Sequence, residues 1–571
     1  MLRTANGSYL YSASDLSGFL ACGHLLFRNR APDSRYLTSD GNDANLAATY
    51  GDLHEQAFLE RLKSSDLRVV EQERPLPFTA ETLRSACDAT VKALRDGADV
   101  VYQGTLFDGS WLGFPDFLIR RAGGLSGASY DVVDTKLARS AKATALVQVA
   151  LYGDLLSSVA PDLAPDDLVL ALGNGTEARF QRRSAASYVR FVQQRFLGAL
   201  DDAAPYPYRV EHCAVCRWQE RCEERRIAED HLSLVAGMTR QQVLRLEAAG
   251  ISTLAQLATL ESLPSTRIGA ETAERLRLQA HQQLESRNSG ELTWSSVSPP
   301  AEGNWWWLPE PDDGDIFFDM EGFPYAEDGG VEYLFGWCDA DGEFHHLFAE
   351  DRASERTAFE GFMAALDAQL DAHPGMHVYH YADYERSALC RLSNRHGVYE
   401  EAVSELLRRH VLVDLYRVVR RSLVLGADSY SIKAVESLYG FGRSGNVKTA
   451  TESLDMYQQW LESQPRDERR RAAIADYNAV DCRSTLALRN WLLDARGPLG
   501  TSPDPSAENS AAAEAKPQPA FSDWLARVET TAAALLDGVP DDPRAGPRPA
   551  RPRGAGPPAE VPPAGGQCAV A

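Results

Sequence analysis

An apolar run, Ile316-Phe317-Phe318, delivers Asp319 and Glu321 in the string IFFDMEG, and far downstream Tyr477 and Asp481 stand four apart in YNAVDC. Alternate residues of a strand share a face, as do residues four apart on a helix, so one strand and one helix can bring three carboxylates and a phenol to a single point. Carboxylates grouped on rigid elements hold divalent cations, and a neighbouring tyrosine orients a water. That combination is what metal-dependent phosphodiester hydrolysis requires, and an all-oxygen donor set suits Mg²⁺ or Mn²⁺.

A second set lies nearer the N-terminus. GDLHEQAFLERL carries His54 and Glu55 in a helical pattern, WLGFPDFLIR carries Asp116, YDVVDTKLAR places Asp134 and Lys136 at strand spacing on one face, and QVALY sets Gln148 and Tyr152 one helical turn apart. Two carboxylates and a histidine can hold a metal, and a lysine beside them can orient or deprotonate the attacking water. Glu55 is left out of the set, because a charged helix residue explains it equally well. A third cluster, CAVCRWQERC, holds Cys213, Cys216 and Cys222 and leaves a four-thiolate site one ligand short. Cys22, in FLACGHLLF, stands near the other end of the same segment. Cys87, Cys338, Cys390, Cys482 and Cys568 show no ligand spacing and read as buried thiols or, for Cys568, a tail thiol.

The elements that must position these groups divide the chain into four parts. At 571 residues it is too long for one core. Residues 1–228 alternate strand and helix patterns, 232–288 are helical with short turns, 314–496 alternate again, and 497–571 are dominated by Pro, Ala, Gly and Arg. That last part reads as mostly disordered apart from helical spacing over Phe521 to Leu536. The expected fold class is therefore multidomain α/β. No apolar run is long enough to span a membrane, and the start lacks a signal pattern, so a cytoplasmic protein with no membrane partner is expected. A net charge of −23 argues against a passive nucleic-acid coat, which needs a broad basic surface, but not against an enzyme whose bound cations attract phosphate.

The order of motifs in the first part, Gly-x-x-His, Gly-x-x-Asp, Asp-x-Lys, Gln-x-x-x-Tyr and then cysteines, resembles the RecB-like branch of the PD-(D/E)XK nucleases, with a restriction-endonuclease-like fold. The resemblance implies metal ligation by His54, Asp116 and Asp134, catalysis by Lys136, and a supporting, DNA-facing role for Gln148 and Tyr152. A far N-terminal cysteine joined to three clustered ones is similar to the iron–sulfur members of that branch, which implies a [4Fe–4S] cluster on Cys22, Cys213, Cys216 and Cys222, with Zn²⁺ as the alternative. The helical part resembles helix-hairpin-helix modules: Gly250-Ile251 mark the first hairpin, and Ile268, Gly269 and Thr272-Ala273-Glu274 the second. Arg267 stands where a glycine is usual, and with Gly269 it is a candidate DNA contact.

The third part, with VYHYADYE between its two acidic motifs, resembles the DEDDy exonucleases of the RNase H-like fold, and more narrowly the YprB-type domains that follow RecB-like nucleases. This implies metal ligation by Asp319, Glu321 and Asp481 and a water-orienting Tyr477. The middle acid is Glu385 by register, with Asp383 the alternative, and Asp414 offers a further carboxylate. Relatives of this kind often carry a helicase. No G-x-x-x-x-G-K-[ST] run occurs here, so a helicase would be a separate partner. The expectation is a metal-dependent nuclease acting on single-stranded or duplex DNA ends in repair, recombination or processing. An RNA-processing exonuclease and a non-catalytic nucleic-acid-binding scaffold stay open.

Overall fold

A computed structural model describes residues 2–3, 9–30, 42–124, 127–262, 264, 266–297, 304–326, 329–443 and 449–497. The expectations for residues 498–571, and for 298–303 of the Ser/Pro-rich linker, lie outside the described residues.

In the first part a mixed six-stranded sheet runs β1 (Val69–Glu71), β2 (Val100–Tyr102), β3 (Phe117–Gly124), β4 (Gly127–Lys136), β5 (Asp167–Leu172) and β6 (Glu177–Gln181), adjacent in that order. The pairs β1–β2 and β4–β5 are parallel and the others antiparallel. The pleat sends Val132 of β4 into one core, with Leu151, Leu155 and Leu168, and Val133 into another, with Phe58 and Phe117. Two helices supply these covers: α1 (Asn42–Lys63) on the Val133 face and α2 (Ala143–Val159) on the Val132 face. His54 and Glu55 sit mid-helix in α1, and Asp116 lies just before β3. A smaller four-stranded sheet joins Leu2–Arg3, Tyr9–Ser12, Trp111–Gly113 and Leu106–Phe107.

The helical part comprises Arg240–Ala248, Leu254–Ala258 and α3 (Ala270–Ser289), packed around Leu246, Leu254, Leu257 and Leu276. Arg267 has φ +56°, the left-handed conformation that favours glycine. α3 does not stand free. Its buried Gln279 and Gln283 donate to Leu425 O at 2.6 Å and Asp428 Oδ1 at 2.9 Å, and the following strand Trp294–Ser296 pairs with Leu423–Leu425. The helical part is thus stitched onto the third.

There the sheet order is β9 (Phe344–Phe348), β8 (Val331–Cys338), β7 (Ile316–Phe323), β10 (Val378–His380) and β11 (Leu412–Asp414). The first three strands are antiparallel and the last two are parallel to β7. Helix α4 (Tyr384–His396) follows β10, α5 (Leu415–Ser422) follows β11, and the long α6 (Glu468–Arg496) packs across β7 and β8. Phe318, Phe335 and Phe362 fill one side of this sheet, and Phe317, Tyr379, Cys482 and Leu488 the other.

Among the described residues, contacts of α1 and of Arg139 tie the first and third parts. Tyr50 of α1 stacks on Tyr325 with ring centres 5.2 Å apart and bonds Gln458 through its hydroxyl. Arg139, three residues beyond β4, lies against Gly329 and Gly330 at the entry to β8 and within electrostatic reach of Glu332, Arg391 and Arg395.

Candidate metal centre and a second carboxylate constellation

The strand spacing of Asp319 and Glu321 and the helical spacing of Tyr477 and Asp481 place β7 and α6 face to face. Among the described residues, Asp319, Glu321 and Asp481 form the one set of three His, Cys, Asp or Glu side chains whose ligand atoms all lie within 4.8 Å of one another. At that spacing, and an effective dielectric of about 20, each ionised pair repels by roughly 3–4 kcal/mol, so the three cannot all stay charged without a cation. The titration behaviour follows. Burial, then Asp481 and Glu385, pushes Glu321 up to about 8, and burial with the charges of Asp481, Glu385 and Glu321 holds Asp319 well above the carboxylate range. Crowded carboxylates of this kind fit a divalent metal.

Neighbouring side chains fix each acid. Asn478 donates through Nδ2 to Asp319 Oδ2 at 2.6 Å, and it can do so because its cross-strand neighbour is Gly336, where any Cβ would collide with the Asn478 amide. Tyr333 OH donates to Glu321 Oε2 at 3.4 Å. Arg443 bridges Asp481 Oδ1 at 2.7 Å and Glu436, and so supplies a positive charge beside the cluster. Lys433 stands 5.6 Å from the Tyr477 ring, whose hydroxyl burial and the nearby acids push upward.

Of the two acids in DYE, Glu385 turns inward. It is 3 % exposed, adds its charge to both Asp319 and Glu321, and keeps one oxygen with no hydrogen-bond partner. Asp383 is exposed and bonded to Ser387 and Arg386 of its own helix. Asp414 caps α5, accepting from the Ala382 and Arg417 amides at 2.9 and 3.4 Å. His380 lies beside Glu385, with Nδ1 3.5 Å from its carboxylate.

The first part presents a different arrangement. Asp134 is 1 % exposed and contacts Lys136 Nζ. Gln148 Nε2 reaches Asp134 Oδ1 at 3.5 Å and Tyr152 OH at 3.0 Å. Asp116 accepts from both the amide and the hydroxyl of Thr135, at 2.7 and 2.8 Å, and burial together with the Asp134 charge pushes it up to about 7. His54 Nε2 lies 3.4 Å from the Ala171 carbonyl, whereas Glu55, its neighbour on α1, feels the Asp116 charge and raises Asp134 in turn. Glu55 is anchored by Gln103. The four cysteines Cys22, Cys213, Cys216 and Cys222 line one pocket, together with His24, His212 and Trp218. Cys216 and Cys222 each lie within electrostatic reach of Cys22 and Cys213, so the four thiols gather around one point. Arg267 and Gly269 are exposed, the latter at the N-terminus of α3.

Several of these partners were not singled out by the sequence. Asn478, Arg443, Lys433 and His380 carried no spacing signal of their own, although Lys433 and His380 stand inside the strings SYSIKAVE and VYHYADYE, and Glu55 was weighed and set aside.

No curated protein and no solved structure matches the chain. A family model does: residues 316–493, the span from the first residue of β7 to near the end of α6, match RNase_H_2 of the RNase H superfamily, so the domain that gathers Asp319, Glu321 and Asp481 is an RNase H-like domain.

Proposed function

We propose that the protein is a metal-dependent nuclease with two hydrolytic sites acting on DNA: a RecB-like PD-(D/E)XK unit with an iron–sulfur cluster, a helix-hairpin-helix connector, and an RNase H-like exonuclease unit. The observation that carries the nuclease reading is the convergence of Asp319, Glu321 and Asp481 inside the region that matches the RNase H superfamily.

In the RNase H-like unit Asp319, Glu321, Asp481 and, across the cleft, Glu385 would hold Mg²⁺ or Mn²⁺. Such ions polarise the phosphoryl group and make bound water nucleophilic near neutral pH. The chain's own contribution is orientation. Asn478 and Tyr333 fix the carboxylates of Asp319 and Glu321, Arg443 fixes Asp481, and the Tyr477 hydroxyl aligns the attacking water. In the first unit Asp116 and Asp134, with His54 or the better-placed Glu55, would hold the cation, and Lys136 beside Asp134 would orient or deprotonate the water. The gathering of four cysteines at one pocket supports a four-thiolate site, which a [4Fe–4S] cluster would occupy.

The test is purified protein with Mg²⁺ or Mn²⁺ against single-stranded DNA, duplex DNA and RNA of matched sequence, labelled at either end. Metal-dependent shortening of DNA is expected. Cleavage confined to RNA would replace the DNA assignment, and no cleavage of any substrate would leave a binding scaffold.

A further inference from the structure

Helix α5 begins at the rim of the RNase H-like site. Its cap residue Asp414 lies opposite His380 in the β10–β11 pair, and His380 contacts Glu385. Along the helix, Leu415, Val418, Val419 and Ser422 are buried, while Tyr416 and Arg417 are exposed and Arg420 and Arg421 half-buried. The residues of the helix that are not buried are therefore one tyrosine and three arginines with no acid, in a chain whose net charge is −23.

These residues do not share one role. Arg420 is turned inward, over the Tyr430 ring at 4.5 Å and against Gly237, and its carbonyl accepts from Arg275. Arg417 and Arg421 instead lie over the indole of Trp307, at 4.8 and 5.1 Å from its centre, and Trp307 is still 42 % exposed. Tyr416, 36 % exposed, meets Tyr381 edge-on at 5.7 Å. Tyr381 lies within electrostatic reach of Tyr439, which in turn lies within reach of Asp481. Tyr439, Tyr381 and Tyr416 thus run from the carboxylate cluster to α5, whose Arg417 and Arg421 hold Trp307. An indole held by two guanidinium groups offers a flat face for a base and two cations for the phosphates beside it.

We infer that this face, Tyr416, Arg417, Arg421 and Trp307, is a track for an unpaired nucleic-acid strand entering the RNase H-like site. From Asp414 to Arg421 the helix rises about 10 Å, enough for two or three stacked nucleotides at about 3.4 Å each. The occupant is a single strand, because only unpaired bases expose the faces that Trp307 and Tyr416 can stack on. The inference rests on the nuclease reading for its purpose, but its test does not.

Binding is measured in EDTA, without cleavage, by fluorescence anisotropy of fluorescein-labelled dT12 and rU12, with a blunt duplex as the third arm. The double change Arg417→Glu/Arg421→Glu should weaken single-strand binding about tenfold or more, and the logarithmic salt dependence should lose a slope of about one to two. Trp307→Ala should weaken single-strand binding at least fivefold and leave the duplex within twofold, while Trp307→Phe should retain most of it. The dT12 and rU12 arms say which polymer the track takes. Thermal midpoints identify variants that do not fold, and Arg417→Gln/Arg421→Gln, which keeps side-chain length, replaces the glutamate pair in that event. Single-strand affinity within twofold of wild type in both the arginine and tryptophan variants overturns the track, as does equal loss on duplex and single strand in Trp307→Ala. Binding through α5 without any metal-dependent cleavage would sink the nuclease reading and leave the track; cleavage with unaltered binding in the variants would do the reverse.

Discussion

The two carboxylate constellations solve the same electrostatic problem differently. In the first part Lys136 contacts Asp134, so the buried acid has a counter-charge from its own strand two residues away. In the RNase H-like domain three carboxylates crowd within 4.8 Å, with Arg443 on only one of them, and Glu385 adds a fourth negative group across the cleft. The first carries one lysine among Asp116, Asp134 and Glu55, so its repulsion is relieved only in part. The second is a site whose repulsion is relieved by an added cation. A cluster that is costly when empty gains more from binding its cation than one partly neutralised, so the second is expected to bind metal the more tightly.

That contrast breaks most sharply under substitution. Asp319→Ala should lower the activity of the RNase H-like site by about a thousandfold or more, because it removes a metal ligand, and Lys136→Ala should do the same at the first site while sparing the second. End-labelled substrates separate the two activities. If Lys136→Ala alone eliminated all cleavage and Asp319→Ala changed nothing, the RNase H-like domain would be a binding platform. Next in size is the cofactor. Anaerobically purified protein should hold iron and acid-labile sulfide, and Cys216→Ser should bleach it; stoichiometric zinc without iron would overturn the iron–sulfur assignment. Tyr477→Phe should slow the second activity roughly ten- to a hundredfold, less than Asp319→Ala, since a water-orienting hydroxyl is lost but no ligand.

The smallest effect is thermodynamic. Glu321 titrates near 8 in the fold against an ordinary value of 4.5, so its neutral form is favoured by folding. Its stabilising contribution is whole below about pH 4.5 and lost as pH rises through about 8. Metal-free protein should therefore melt at lower temperature at pH 8.5 than at pH 5, with Mg²⁺ restoring the difference. Asp319→Asn should raise the metal-free midpoint at pH 8.5, by an amount equivalent to about 1 kcal/mol or more, although it inactivates the site. Unchanged midpoints in EDTA across that range would mean that the cluster is not held as tightly as the geometry indicates.

The acids of β7 and α6 were legible because their spacings, two on a strand and four on a helix, are local properties of the chain. The RNase H-like domain was legible for the same reason. Choosing between Asp383 and Glu385 was not a local matter: both belong to one tripeptide at the start of α4, and which one faces the cleft depends on how that helix seats against β7. Arg443 reaches Asp481 across 38 positions and Asn478 reaches Asp319 across 159, so no spacing rule could pair them. Glu55 illustrates a different limit. Read only as a charged helix residue, it lies in the middle of α1, where the helix packs on the face of the sheet near Asp116.

Helix α1 also acts as a mechanical link. Tyr50 is locked to Tyr325 and Gln458 of the RNase H-like domain, and Glu55 stands five residues further on, about 7.5 Å along the axis, beside the first site. Were α1 to follow a tilt of the RNase H-like domain, a lever of that length would carry Glu55 about 0.65 Å for every 5°. Since productive active-site geometry tolerates displacements of about 0.5 Å, rotations beyond roughly 4° would be felt at the first constellation. Through α1 the second domain is thus geared to the first with little backlash.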